Sequence, residues 1–453
     1  MESTNKKPDS DIMYYETERL IAKDHRIGSQ KSSKAPFKVC IYKNSKAFAY
    51  LYLDWTELAE KSDQLVCMSP DWVSSWWKHF GRNKNRSLFI IAVYDQEKPV
   101  AIFPFFKGIT RIFGKVVEKR LQLIGSGGNR NEQWGFSDDY GISDFLDFVV
   151  DPDYQEAIAD LFISLLKNSE LSGHRIIFNH VRDDSYIHKF IYRTLLESKI
   201  PVKKDKTDHC PYIDLTDSDH LLSFVEQCKS NARRRFRQIF RAEGPNNEYQ
   251  FEEAGTKADV EKMSNHLIRL HQKRWNEIGF PGAFHDPRFR EFFKEIVLNA
   301  HQKNQLWLKQ AVDSQGVCAV RMLLLYNGRY YDYMSGYDDD RPSAKYRPGI
   351  ALLLNLIHDA IENKVEIVEL LRGDEGYKYD FTKNEITNWA ITVPNQQVEK
   401  IWGMIPVSTI YFFSNLFKQG ERELILLKVQ QRKSGFFGMI MGYLQFRLRS
   451  LKN

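Results

Sequence analysis

Two stretches far apart in the chain share one pattern of apolar and polar positions. LFIIAVYDQEKPVAIFPFF (88–106) and LWLKQAVDSQGVCAVRMLLL (306–325) each run apolar, turn on a short polar stretch, and run apolar again. With Leu88 set on Leu306 they align without gaps, placing Asp95 on Asp313 and Ala101 on Ala319. Such runs around a polar turn predict β-hairpins. The surroundings repeat as well. A helix rich in Trp and Phe precedes each hairpin: SPDWVSSWWKHF (69–80) in the first case, HLIRLHQKRWNEIGF (266–280) and then DPRFREFFKEIVLNA (286–300) in the second. After each hairpin come further strands, a helix and a short buried strand. These last two are DYQEAIADLFISLLKN and RIIFNHV in the first half, PGIALLLNLIHDAIENK and EIVELLRG in the second.

This order, met twice, predicts two α/β units of like topology, each a mixed, mostly antiparallel sheet flanked by helices. The units are expected over 37–215 and 216–396. Residues 1–36 are polar and poor in large aliphatics, so the pattern predicts disorder there. Between the halves, HLLSFVEQCKSNARRRFRQIFRAEG (220–244) predicts one long helix. Val225, Cys228, Ala232, Phe236 and Ile239 share one face, and Lys229, Arg233, Arg237 and Arg241 another. The basic stripe is either a solvated face or a seat for an anion.

Composition adds little to this picture, but charge and cysteine narrow it. The chain of 453 residues is 42% hydrophobic and 27% charged, as a globular protein of two or three domains would be. Its five cysteines are odd in number and never form a Cys-x-x-Cys pair, which speaks against a disulfide framework or zinc knuckle and for a reducing cytoplasm. No secretory leader is visible at the N-terminus. The net charge of +6 suggests nucleic acid until it is located. From Lys418 onward, eight Lys and Arg stand against two Glu, so the whole excess sits in the tail. DNA is therefore not an expected partner. No metal site, Walker loop, dinucleotide fingerprint or nucleophile elbow is present in the sequence.

The candidate chemistry lies at the ends of two strands in the second half. A strand at 329–337 leads through a loop into a helix opened by Pro348 and Gly349, residues suited to a first turn and to close backbone approach. A helix start flanked by Lys345 and Arg347 suits an anion. The helix leads to a strand at 366–372, so both strand ends and the helix start lie on one side of the sheet, where open α/β sheets bind ligands. The next stretch, LLRGDEGYKYDFTKN, crowds Asp374, Glu375, Lys378 and Asp380 around Tyr377 and Tyr379.

KYRPGIALLLNLIHDAIENK followed by EIVELLRGDEGYKYDFTKN resembles the GNAT-fold acyltransferases of the CelD-like and FemAB-like group, which carry two tandem GNAT units. MSPDWVSSWWKHFG, LIGSGG and DFLDFVV are similar to that group's first unit. The resemblance implies an N-acyltransferase using acyl-CoA, acetyl-CoA or longer, as co-substrate. Its acceptor would be an amine on an amino sugar or on a polysaccharide or cell-envelope precursor. It implies cofactor contacts at Tyr337, Lys345, Arg347, Pro348, Gly349 and Ile350. Lys378 would face the thioester as an oxyanion donor, with a proton taken by Asp374, Glu375 or Asp338 and one returned by Tyr377 or Tyr346. The FemAB branch leaves aminoacyl-tRNA open as the donor, and a non-catalytic binding module is the reading from another class.

The tail, 397–453, is expected to be basic and helical. Its two uncharged runs, IWGMIPVSTIYFFSNLF and SGFFGMIMGYLQF, fall short of the roughly 20 residues that span a bilayer. They either pack on the core or hold a cytoplasmic enzyme peripherally against the inner face of the membrane.

Overall fold

A computed structural model describes residues 12–16, 37–81, 85–112, 115–126, 142–168, 171–242, 249–277, 279, 281–341, 343–344 and 347–395. The expected tail and nearly all of 1–36 lie outside them. The strands are β1 (Ile12–Glu16), β2 (Lys38–Tyr42), β3 (Arg86–Asp95), β4 (Lys98–Ile112), β5 (Lys115–Leu123), β6 (Val149–Val150), β7 (Arg175–Arg182), β8 (Lys203–Asp214), β9 (Gln250–Glu253), β10 (Leu306–Asp313), β11 (Gly316–Tyr326), β12 (Arg329–Tyr337), β13 (Ile367–Glu369) and β14 (Glu385–Val393). The helices that matter here are α1 (Pro70–Trp76), α2 (Leu221–Gln227), α3 (Ser230–Ala242), α4 (Lys257–Glu277), α5 (Pro287–Gln302), α6 (Pro348–Glu362) and α7 (Lys378–Phe381).

Both hairpins of the sequence repeat form, β3 with β4 and β10 with β11, and each is followed by a third antiparallel strand, β5 or β12. Their near-continuous apolar runs fit strands covered on both faces. The repeated helices also start alike. Ser69 and Asp286 cap α1 and α5 by accepting from the Trp72 and Arg288 amides, and Pro70 and Pro287 follow as first residues. A capping oxygen and a proline fix a helix start locally. The two helices pack against each other across the halves, with the Trp72 and Phe292 rings edge-on at 5.1 Å.

The strand order is β1-β2-β3-β4-β5-β7-β14-β8-β13-β12-β11-β10-β9, with β6 beside β4, in one continuous sheet. Each half contains one parallel pair, β5 with β7 and β12 with β13. The strand that follows each pair then crosses over: β8 pairs with β13, β14 pairs with β7, and β8 and β14 pair with each other. The halves are thus joined by exchanged strands rather than by a linker.

The long helix expected over 220–244 is broken. α2 ends at Gln227, Cys228 is extended (ψ 164°), and α3 starts at Ser230. The break lets both apolar faces turn onto α6: Phe224 and Val225 from α2, and Ala232, Phe236 and Ile239 from α3, are buried in one cluster with Leu353, Leu356 and Ile357.

α4 covers the other face of β12 at very short range. A Cβ on Gly336 would lie 2.7 Å from the His271 amide nitrogen, so only glycine fits there. His271 is buried beneath this contact, its ring 5.1 Å from Phe284, and burial pushes its imidazole down to about 4. An unfolded histidine titrates near 6.5. Between these values the unfolded chain binds a proton that the folded chain lacks, so stability is complete above pH 6.5 and falls as pH drops through the window. About 2 kcal/mol should be lost between pH 6.5 and 5. Denaturant midpoints across that range should show the loss in the wild type and a flatter profile in His271→Leu.

Candidate active site

The parallel contact of β12 with β13 is brief. Arg329, Tyr330 and Tyr331 pair with Ile367, Val368 and Glu369, and there it ends. Beyond it, Leu370 and Gly373 donate their amides to the Pro211 and His209 carbonyls, both at 3.0 Å. β12 meanwhile continues along β11 to Tyr337. The two chains therefore part in a V. A register shift leaves Tyr333 as an extra residue on β12, and such bulges bend a strand. On the other arm, Leu371 adopts φ 60°, a left-handed conformation costly for a bulky side chain.

α6 starts beside this V. Arg347 is its N-cap, itself left-handed at φ 51° and exposed, and Pro348 is its first residue. A Cβ on Gly349 would lie 3.2 Å from the Tyr337 ring, so glycine lets the helix start come close to β12. The Arg274 guanidinium lies 4.0 Å from the centre of that same ring. Pro348 is buried and Ile350 half-buried. Lys345 and Tyr346 lie outside the described residues.

Two charged residues that the sequence reading passed over hold this region together. Arg321 on β11 and Asp332 on β12 form an ion pair with side-chain exposures of 3% and 5%. Arg321 also donates to the Gly349 carbonyl at 3.1 Å, which ties β11 to the first turn of α6. Its Nε is buried and has no partner among the described residues. Burial raises the Asp332 carboxyl, with Arg321 and Lys378 opposing. Tyr377 packs against the same pair. Burial pushes its phenol up to about 12, with Asp332 adding to the shift and Arg321 opposing it, so the hydroxyl keeps its proton at neutral pH. One signal was available in the sequence: a lone Arg inside VCAVRMLLL must be buried with the strand, and a buried charge requires a partner.

The other expected site residues are placed as follows. Lys378 is buried, and its ammonium lies 3.2 Å from the Leu371 carbonyl, 2.7 Å from that of Arg372 and 3.5 Å from that of Gly373. It is also 3.0 Å from the Glu375 carboxylate. An ammonium has three hydrogens, and all of them have acceptors here. The oxyanion donor expected of Lys378 is thus engaged in holding the kink at Leu371. Asp374 is exposed. Asp338, although desolvated, is held below the usual carboxylate range by Lys273 and Arg341, with contacts of 2.5 and 3.2 Å. That leaves it poorly suited to take up a proton.

The first half has a matching V, and it is filled. β5 and β7 pair only over Arg120–Gln122 and Arg175–Ile177. Past that point the segment from Ile142 to Phe148 lies between them and the second half. Leu146 donates to the His180 carbonyl at 3.0 Å. The Asp147 carboxylate accepts from the amides of Phe148, Tyr186 and Ile187 at 2.9, 2.7 and 2.8 Å. Arg372 reaches across from the second half to pair with Asp144. His180, with φ 56°, kinks β7 much as Leu371 kinks the chain after β13. Among the described residues no cluster of His, Cys, Asp and Glu could hold a metal ion, and no helix is long and apolar enough to cross a membrane.

Residues 227–379 match the model of a protein family described as Acetyltransferase (GNAT) domain. That span contains both arms of the second V, the start of α6, Arg321, Asp332 and Lys378. The chain has a GNAT fold. The crystal structure of FemX shares this fold with a TM-score of 0.53 at 9% identity, over 77% of this chain and 98% of FemX. A tandem GNAT protein from the clavulanic acid biosynthesis pathway aligns with a TM-score of 0.36 at 10% identity, over 78% of this chain and 98% of its own. For L-PGS from Bacillus licheniformis the values are 0.39 and 10%, over 72% and 92%. No curated protein sequence matches the chain. At 9% identity the likeness to FemX is one of fold.

Proposed function

We propose that the protein is an N-acyltransferase that moves an acyl group from acyl-CoA to an amine, with the V between β12 and β13 as its active site. The observation that carries this reading is the V itself, opening beside the start of α6 within the segment that matches the GNAT model. The coenzyme's pyrophosphate would rest at the start of α6, near the exposed Arg347, where a helix N-terminus favours an anion. The thioester would lie between the arms of the V.

In this reading the amine nitrogen bonds to the thioester carbonyl carbon and the carbon–sulfur bond breaks. The amine's surplus proton passes to Asp374, an exposed carboxylate beside the V, directly or through water. Tyr377, which keeps its proton at neutral pH, supplies one to the departing thiolate. Arg321 and Lys378 fix the two arms. An amino sugar or a polysaccharide precursor is the acceptor class favoured by the sequence resemblance.

Calorimetric titration of acetyl-CoA and longer acyl-CoAs tests the donor. Micromolar binding is expected in the wild type, weakened about tenfold or more in Arg347→Glu, a change of roughly 1.4 kcal/mol or above. Absence of binding by every CoA ester would overturn the donor assignment and leave aminoacyl-tRNA as the donor to be tried on the same fold.

A further inference from the structure

The 142–148 segment that fills the first V also touches both arms of the second. On one side, the Tyr333 hydroxyl donates to the Ile142 carbonyl at 3.4 Å. Tyr333 is the bulged residue of β12, just past the last parallel pair of Tyr331 and Glu369. On the other side, the Asp144 carboxylate pairs with Arg372, which follows Glu369 closely on the arm after β13. Arg372 stands between two left-handed residues, Leu371 at φ 60° and Gly373 at φ 119°, so its side chain leaves the arm at the kink itself. Its carbonyl accepts from the Lys378 ammonium at 2.7 Å. Lys378 therefore fastens the backbone of the kink from within the second half, and Asp144 fastens its side chain from the first.

The segment is held too firmly to be a passive filler. Ser143 is buried and accepts from the Trp72 indole at 2.8 Å, and the same indole meets the Tyr333 ring edge-on at 5.1 Å. The Asp144 carbonyl accepts from the Asn388 side chain on β14 at 2.8 Å. Leu146 and Asp147 anchor the far end on the His180 carbonyl and on the Tyr186 and Ile187 amides. The Arg372 guanidinium also lies 3.2 Å from the His180 ring, so the kinked arms of the two Vs meet beside the segment. Paired strands lie about 4.8 Å apart, whereas the chain from Ile142 to Asp144 can reach up to about 7 Å. That reach suits strands that have parted. We propose that this segment is a spacer that sets the width of the second V, with Asp144 as the positioning residue for the arm after β13. Asp144 acts only through Arg372. Calling the V an active site rests on the acyltransferase reading, but its width does not.

The test is hydrogen–deuterium exchange on the wild type, Asp144→Asn, Arg372→Gln and the double variant. It is paired with calorimetric titration of acetyl-CoA and of ADP, which carries a pyrophosphate but no thioester arm. The Leu370 and Gly373 amides hold the arm in the sheet, so exchange over 370–378 is expected to rise about tenfold in Asp144→Asn, with α6 unchanged. Acetyl-CoA affinity is expected to fall about tenfold while ADP affinity stays the same. The double variant should be no worse than either single one, as for residues that act through one contact. Ile91→Ala, in the core on β3 and remote from β13 in the strand order, supplies a loss of stability that leaves the spacer alone. The proposal is overturned if exchange over 370–378 does not rise in Asp144→Asn, rises evenly through the second half, or rises as much in Ile91→Ala. Should Asp144→Asn not fold, Tyr333→Phe tests the other arm, since it removes only the hydroxyl on the Ile142 carbonyl. Exchange over 332–337 is then expected to rise with α6 unchanged, and no rise would overturn the proposal. Absence of acetyl-CoA binding in the wild type would remove the acyltransferase reading, and exchange alone would still decide the spacer.

Discussion

Arg321→Leu is expected to destabilise the protein by about 3–5 kcal/mol, the range found when one partner of a buried ion pair is removed. Asp332 would keep its place in the sheet with 5% of its side chain exposed and its main partner gone. Since burial already raises that carboxyl, it will take up a proton in the variant, which limits the penalty without abolishing it. The second consequence concerns the ligand. Without its guanidinium donor the Gly349 carbonyl no longer ties the first turn of α6 to β11, so acyl-CoA affinity should fall as well. The double variant Arg321→Leu/Asp332→Leu separates the two effects. An apolar pair in the same space should restore most of the stability, but it cannot restore the tether to Gly349. Denaturant unfolding and acetyl-CoA titration of both variants would read this. A single variant as stable as the wild type would show that the pair does not hold the site.

What could be read from the sequence was what is fixed locally. The hairpins at 88–106 and 306–325 are long apolar runs around short turns, and their residues dictate them. The starts of α1 and α5 are written in Ser69-Pro70 and Asp286-Pro287, whose oxygens and rings act within one turn. A cleft at the ends of the second parallel pair followed from the order of strand, helix and strand. What escaped depends on distant partners. The exchange of β8 and β14 is decided by pairing between halves, and a strand such as KKDKTDHCPYID does not show which neighbour it will meet. The break at Cys228 escaped because the apolar residues on either side keep helical spacing, and only the position of α6 beneath them requires the turn. Arg321 and Asp332 lie ten or so residues apart on different strands, and a bulge at Tyr333 sets their register. Periodicity alone would not have brought them together.

Lys378 is where the sequence resemblance and the geometry differ most, and its replacement distinguishes them. Lys378→Met keeps the length of the side chain but leaves the Leu371 and Arg372 carbonyls without their ammonium donor. Each such loss costs about 1–3 kcal/mol in a buried setting, so a total of about 2–6 kcal/mol is expected. Leu371 holds φ 60° against its own preference, and the ammonium that bonds to its carbonyl and the next is what fastens that kink. Once released, the arm after β13 can relax toward an ordinary extended path and narrow the V. Donor affinity should then fall together with stability. A donor acting only on the oxyanion would behave otherwise: turnover would drop about 10²- to 10³-fold, with stability and donor affinity intact. Thermal unfolding, acetyl-CoA titration and thioester turnover on the one variant decide between these patterns. The fastening role requires the first two to move. If only turnover moved, the ammonium would have to leave its carbonyls during the reaction, exchanging the Leu371 and Arg372 oxygens for the charge that develops on the thioester. The kink would then be a resting place for the lysine rather than its purpose.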